Sequence, residues 1–211
     1  MDYEAARRAM VDNQLRPEGV TDSLVIAAMA TVPRERFVPA PSRELAYIDR
    51  NLPLANGRTL SPPATLGRML TELQCRPGER VLVVGAATGY SAAVLAQMEL
   101  EVTAVESDPL LLEQLAGLGG SVRIVSGELE AGAPDGAPYD IILIDGQVEC
   151  IPDALVEQLR NGGRLGTCLL LNGVPRLVAG VRSPHGFGVR SFADASASPL
   201  PGFARPRAFT F

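Results

Sequence analysis

Gly85-Ala86-Ala87-Thr88-Gly89-Tyr90 closes one apolar run and opens a helical pattern. Glu106 closes the next apolar run, about twenty residues further on. Small residues let a backbone come close to a ligand, and the start of a helix behind them offers unpaired N–H groups. A carboxylate at the second position accepts hydrogen bonds from both hydroxyls of a ribose. Each signal alone is ordinary. Tight strand-to-helix turns use glycine for their own geometry, and a carboxylate at a strand end usually only meets water. Together, at this spacing, they point to a nucleotide-like cofactor. A dinucleotide site would read G-x-G-x-x-G, whereas here Gly85 and Gly89 are separated by Ala86, Ala87 and Thr88, which suits a nicotinamide cofactor poorly.

Several chemistries are excluded. The 19 basic residues are all arginine. Without lysine there is neither Schiff-base catalysis nor a P-loop. The single histidine, His185, lies in the loop-like SPHGFG, so a histidine metal cluster is ruled out and a Ser-His triad would have to use this residue. Cys75, Cys150 and Cys168 are too few and too scattered for a disulfide framework or a CxxC metal site, and they fit a reducing cytoplasm. No metal is expected. A net charge of −5 without a basic run argues against nucleic acid, and no apolar stretch is long enough to span a membrane.

The elements that must position these residues follow from periodicity. Helical spacing is read over 4–15 and 22–31, the second after a cap at Thr21 or Asp22. A stretch from 33 to 62, rich in Pro, Asn and Gly, is expected to be loop, and a helix is expected from Pro63 to Leu73. From residue 80 the pattern changes to short apolar strands alternating with helices: strands at 80–86, 101–107, 121–127 and 139–145, helices between them, and a helix over 151–163 ended by glycines. Further β-like segments run to the C-terminal AFTF. Nearly continuous apolar strands alternating with helices predict an α/β fold whose mostly parallel, doubly wound, Rossmann-like sheet is covered on both faces. The expected organisation is an N-terminal helical and loop portion, 1–75, packed on a core of 76–211 in one compact domain.

The motifs also resemble a known family. VLVVGAATGYSAAVLA (81–96) is similar to the cofactor turn of the protein-L-isoaspartate O-methyltransferases, including the tyrosine after the last glycine. MVDNQLRPEGVTDSLVIAAMATVPRERFVP (10–39) resembles that family's N-terminal helices, and AYIDRNLPLANGRTLSPP (46–63) its stretch carrying a Thr-Ile-Ser triplet. APYDIILIDGQVECIPDALVEQLRNGGRL (137–165) continues in register. The resemblance implies the Rossmann-like methyltransferase fold and methyl transfer from S-adenosyl-L-methionine to the carboxylate of an isoaspartyl residue in a protein or peptide. It further implies that Gly85, Ala86, Ala87, Gly89 and Tyr90, with Glu106, hold the methionine and ribose, and that Glu128 meets the adenine. Thr59, Leu60 and Ser61 would border the substrate carboxylate, with the Ser61 hydroxyl as donor; Ser61 before Pro62-Pro63 reads equally well as a helix cap.

The chain departs from the family pattern where chemistry is concentrated. Val83 stands where the family has an acidic residue, and Ala87 replaces the middle glycine, tolerable while its φ stays negative. Arg58 replaces a glutamine and suits an anionic substrate, though an exposed arginine is the commoner case. Asp145-Gly146-Gln147 replaces a hydroxyl-bearing segment, and an aspartate at the cofactor rim would repel a carboxylate unless it meets another group. An active methyltransferase is therefore weighed against a degenerate homologue that binds the cofactor or a protein partner without turnover.

Overall fold

The computed structural model describes residues 1–205. The expected AFTF segment lies outside the described residues. The chain opens with α1 (Tyr3–Met10), continued by a wider turn at Val11–Leu15, and α2 (Ser23–Thr31). Both begin on an aspartate that satisfies the free N–H groups of the first turn: Asp2 accepts from the Ala5 amide, and Asp22 from those of Leu24 and Val25.

The segment expected to be loop holds a small hairpin, β1 (Leu52–Pro53) paired antiparallel with β2 (Thr59–Leu60). The Arg58 amide donates to the Ala55 carbonyl at 3.0 Å, and the two residues between, Asn56 (φ 51°) and Gly57 (φ 74°), are both left-handed. That is the type I′ turn Asn-Gly favours, matching the twist of the two strands. Helix α3 (Pro63–Leu73) starts where the sequence places it. Its cap does not follow expectation. Pro62 occupies the cap position, and the Ala64 amide donates to Asp49 Oδ1 at 3.1 Å, leaving the Ser61 hydroxyl free for another partner.

The remaining elements are β3 (Arg80–Val84), α4 (Tyr90–Gln97), β4 (Glu101–Glu106), α5 (Pro109–Leu115), β5 (Val122–Ser126), β6 (Tyr139–Val148), α6 (Asp153–Val156), β7 (Leu159–Leu171), β8 (Val174–Ser183) and β9 (Gly186–Asp194). Together they build a seven-stranded sheet of order β5-β4-β3-β6-β7-β8-β9. It is parallel through β7 and antiparallel beyond.

Alternate side chains leave opposite faces of each strand. Val81, Val83, Ala104, Ile141 and Leu143 join one apolar cluster with the N-terminal helices and α4. Leu82, Val84, Val105, Ile142 and Ile144 join a second with α6, Leu200 and Phe203. Two covered faces account for the absence of polar alternation in these strands.

The helix expected over 151–163 is a single turn, α6. The chain then turns at Gln158, which is buried with its amide on Ala131, Ala133 and Ala154, and Leu159 pairs with Tyr139 at the start of β7. Pairing resumes at Arg164 opposite Ile141, so residues 160–163 bulge out of the ladder, and Asn-Gly-Gly has little helix propensity to continue α6. Among the described residues no helix is long and apolar enough to cross a membrane.

Candidate functional site

Strand order reverses between β3 and β6, so the crevice outside their carboxyl ends is where a sheet of this kind takes a ligand. The turn after β3 lies there. Gly85 (φ 74°) and Gly89 (φ 93°) use left-handed backbone, and Gly89 begins α4. Ala87 does too: its φ is +50°, not negative as expected. A left-handed alanine is strained by about 1 kcal/mol. The hydrogen bond from its amide to Glu106 Oε2 at 2.8 Å holds it there.

Glu106 is wholly buried at the end of β4. Besides Ala87, it accepts at Oε1 from the Ser107 amide (2.8 Å), the Asp108 amide (3.1 Å) and Arg58 Nη1 (2.9 Å). Four donors therefore reach this carboxylate, three at Oε1 and one at Oε2.

Arg58 corrects an expectation. It is not the exposed arginine that is the commoner case but is buried. The Asn-Gly turn carries it inward, where Nη2 donates to the Gly85 carbonyl at 3.0 Å while Nη1 meets Glu106. Asn56 Nδ2, donating to Asp108 Oδ2 at 2.6 Å, fastens the hairpin to the loop after β4.

Leu200 fills the rest of the crevice. A Cβ on Gly146 would lie 2.5 Å from Leu200 Cγ, and one on Gly85 would lie 3.1 Å from both of its methyls. Hydrogen bonds from the Gln147 amide to the Ser198 carbonyl and from the Leu200 amide to the Gln147 carbonyl, each 2.9 Å, lay this segment along the end of β6. The bulge in β6 between Ile144 and Gln147 exposes that backbone for pairing.

An adenosyl group does not fit the crevice in this form. The carboxylate that would take its ribose already accepts from four donors, Leu200 occupies the space against Gly85 and Gly146, and the Arg58 guanidinium lies against Gly85. Val83, where a family acid is expected, is buried in the apolar cluster. Glu128 is exposed on the turn after β5. A groove of about 610 Å³ remains outside Arg58, lined by Asn56, Ser107, Asp108, Pro109, Leu200 and Pro201. A second groove of equal volume, beside Phe37 and Leu118 on the outer side of α4, reaches neither Glu106 nor Ser61.

On the other side of the crevice the Ser61 hydroxyl donates to Asp145 Oδ1 at 3.2 Å. Burial pushes the Asp145 carboxyl above its ordinary pKa, against the nearby Ser91 hydroxyl, the hydrogen bond from Ser61 and the charges of Arg58 and Arg34. The void beside this pair, bounded also by Thr65, Met69 and Cys168, is only about 20 Å³, room for one water. Thr59 Oγ1 donates to Ser198 Oγ at 2.9 Å, and Leu60 is buried beside it.

Two contributors escaped sequence reasoning. Arg34, fully buried, donates from Nε to the Ala46 carbonyl at 2.7 Å and from Nη2 to the Ser61 carbonyl at 2.6 Å. Its guanidinium lies 4.7 Å from the centre of the Tyr90 ring. Burial lowers its pKa, since the interior disfavours the charge. Its sequence, RERF, carries no sign of burial. The Asn56-Gly57 hairpin, by contrast, had a legible signal.

Comparison with known proteins agrees with the fold. A structure of a protein-L-isoaspartate O-methyltransferase superposes with a TM-score of 0.82 at 24% identity, over 93% of this chain and 66% of its own. One described as such an enzyme from Plasmodium falciparum, in complex with S-adenosyl-L-homocysteine, gives 0.78 at 21% identity, over 92% and 97%. At these identities the likeness establishes the Rossmann-like methyltransferase fold.

Sequence relatives are closer. A protein-L-isoaspartate O-methyltransferase of Methylorubrum populi is 42% identical over 202 residues, 93% of this chain and 95% of its own. One of Gloeobacter violaceus is 47% identical over 161 residues, covering 74% and 78%. The family model described as protein-L-isoaspartate(D-aspartate) O-methyltransferase matches residues 5–170, from the first helix into β7. The chain belongs to the protein-L-isoaspartate(D-aspartate) O-methyltransferase family.

Proposed function

We propose that the chain is an S-adenosyl-L-methionine-dependent methyltransferase acting on the carboxylate of isoaspartyl residues in proteins or peptides. The observation that carries this reading is a family match over residues 5–170, a range that takes in Thr59–Ser61, the Gly85–Tyr90 turn and Glu106.

The acceptor needs no general base, because a carboxylate is already ionised at neutral pH. S-adenosyl-L-methionine supplies the activated methyl group. What the chain contributes is position and exclusion of water. Ser61 turns its hydroxyl from Asp145 to the incoming carboxylate, and Leu60 and Thr59 wall that side. Burial raises the Asp145 carboxyl, which eases the repulsion it offers an incoming carboxylate. Three free cysteines support a reducing, cytoplasmic setting.

The test is transfer of a radiolabelled methyl group from S-adenosyl-L-methionine to an isoaspartyl peptide, with the aspartyl peptide as control. Base-labile label on the isoaspartyl peptide alone is the expected result; no label above the blank sinks the reading.

A further inference from the structure

We infer that Arg58 and Leu200 together form an internal plug at the strand crossover, so that an adenosyl ligand binds this chain only by displacing them. The inference rests on the proposal that this crevice is the cofactor site, and concerns what governs entry to it.

The plug has two halves, placed by different parts of the chain. The polar half is Arg58, which puts one guanidinium nitrogen on Glu106 and the other on the Gly85 carbonyl. These are the charge and the backbone that would meet a ribose and the end of the cofactor. The type I′ turn and the Asn56–Asp108 hydrogen bond aim it. The apolar half is Leu200, held by pairing of Ser198–Leu200 with Gln147. It is flanked by Pro199 and Pro201, whose fixed φ favours an extended path. Beyond it, Phe203 is buried in the second apolar cluster, and its carbonyl accepts from the Glu149 amide at 3.1 Å.

The glycines connect the halves. Gly85 and Gly146 leave the gap that a close-lying ligand needs, and Leu200 uses it from inside the chain. Both halves also touch the proposed acceptor side, since Thr59 bonds to Ser198 and Ser61 to Asp145, next to Gly146. Ligand and plug therefore compete for the same donors, acceptors and volume. The observed affinity is the intrinsic affinity reduced by the fraction of molecules with the plug out.

The experiment titrates S-adenosyl-L-homocysteine into the full chain by calorimetry, for wild type, Leu200→Ala, Arg58→Gln and the double variant. Each is first checked for native near-ultraviolet circular dichroism. The plug predicts that each single variant binds at least about tenfold tighter than wild type, and the double variant tighter still. A second measurement needs no variant. In wild type with saturating S-adenosyl-L-homocysteine, hydrogen exchange at Gln147 and over 198–203 should speed up as the segment lifts.

Equal affinity in all four chains, no binding by any of them, or binding with unchanged exchange at these amides would overturn the plug. Methyl transfer is scored separately. Tight binding by the double variant without transfer to an isoaspartyl peptide keeps the plug and removes the proposed function. Full transfer by wild type with no change at 198–203 does the reverse.

Discussion

Arg58 Nη1 donates to Glu106 Oε1 at 2.9 Å, joining the hairpin to the end of β4 through a charge pair that is 7% and 0% exposed. Removing one partner of such a pair leaves an uncompensated buried charge. Arg58→Met should therefore cost about 3–5 kcal/mol. Arg58→Met with Glu106→Gln should cost less than the two single changes summed, since neither charge is then left alone. Urea unfolding of the four chains at neutral pH measures this, and additive losses would show that the pair is not coupled.

Gly89 begins α4 with φ +93°, and a Cβ there would lie 2.7 Å from methyl groups of Leu115 and Leu118. Gly89→Ala should destabilise by about 2–3 kcal/mol through backbone strain and overpacking combined. Ala87→Gly removes a left-handed alanine but loosens the unfolded chain, and should change stability by less than about 1 kcal/mol. Thermal unfolding of both variants separates strain in the turn from its packing.

Arg34 ties two segments together through the carbonyls of Ala46 and Ser61. Arg34→Met fills much of the same space yet leaves both carbonyls without a donor. It should cost about 2–4 kcal/mol and speed hydrogen exchange over residues 59–61. A stable variant with unchanged exchange there would show that the Ser61 strand is held by other contacts.

The Asp145 carboxyl titrates above its unfolded value because burial disfavours the charge. A group raised in the folded state contributes stability at low pH and loses it as pH rises through the folded pKa. Asp145→Asn keeps an acceptor for Ser61 and abolishes the ionisation. Its melting temperature should exceed that of wild type at pH 8, with the gain shrinking as pH falls through the carboxylate range. A gain that grows toward low pH would contradict the burial argument.

Burial pushes the Cys75 thiol up to about 12 and the Cys168 thiol up to about 11. The thiolate is the reactive form, so neither should be modified by a disulfide reagent at pH 8 in the native protein. Cys150, half-buried with its Sγ 3.6 Å from the Phe203 carbonyl, should react first. Because that carbonyl belongs to the segment bearing Leu200, the Cys150 rate also reports how often the segment lifts. Mass spectrometry of partly labelled protein identifies the site.

The sequence by itself determined a good deal of this molecule. The spacing of Leu66, Met69, Leu70 and Leu73 defines α3 to its observed ends, and Asp22 sets the start of α2. The apolar runs around Val81–Val84 and Ile141–Ile144 define parallel strands buried on both faces, which places Gly85 and Glu106 at the carboxyl edge of the sheet. These are local properties, carried by periodicity and by the needs of helix ends. The tertiary structure decided what entered the crevice. Arg58 lies 48 residues from Glu106, and Leu200 meets Gly85 and Gly146 from a segment with no periodic signature. Pattern tells which face a side chain leaves. Which distant side chain reaches a buried carboxylate is settled only when the chain has closed around it, because desolvation then makes an unpaired charge costly.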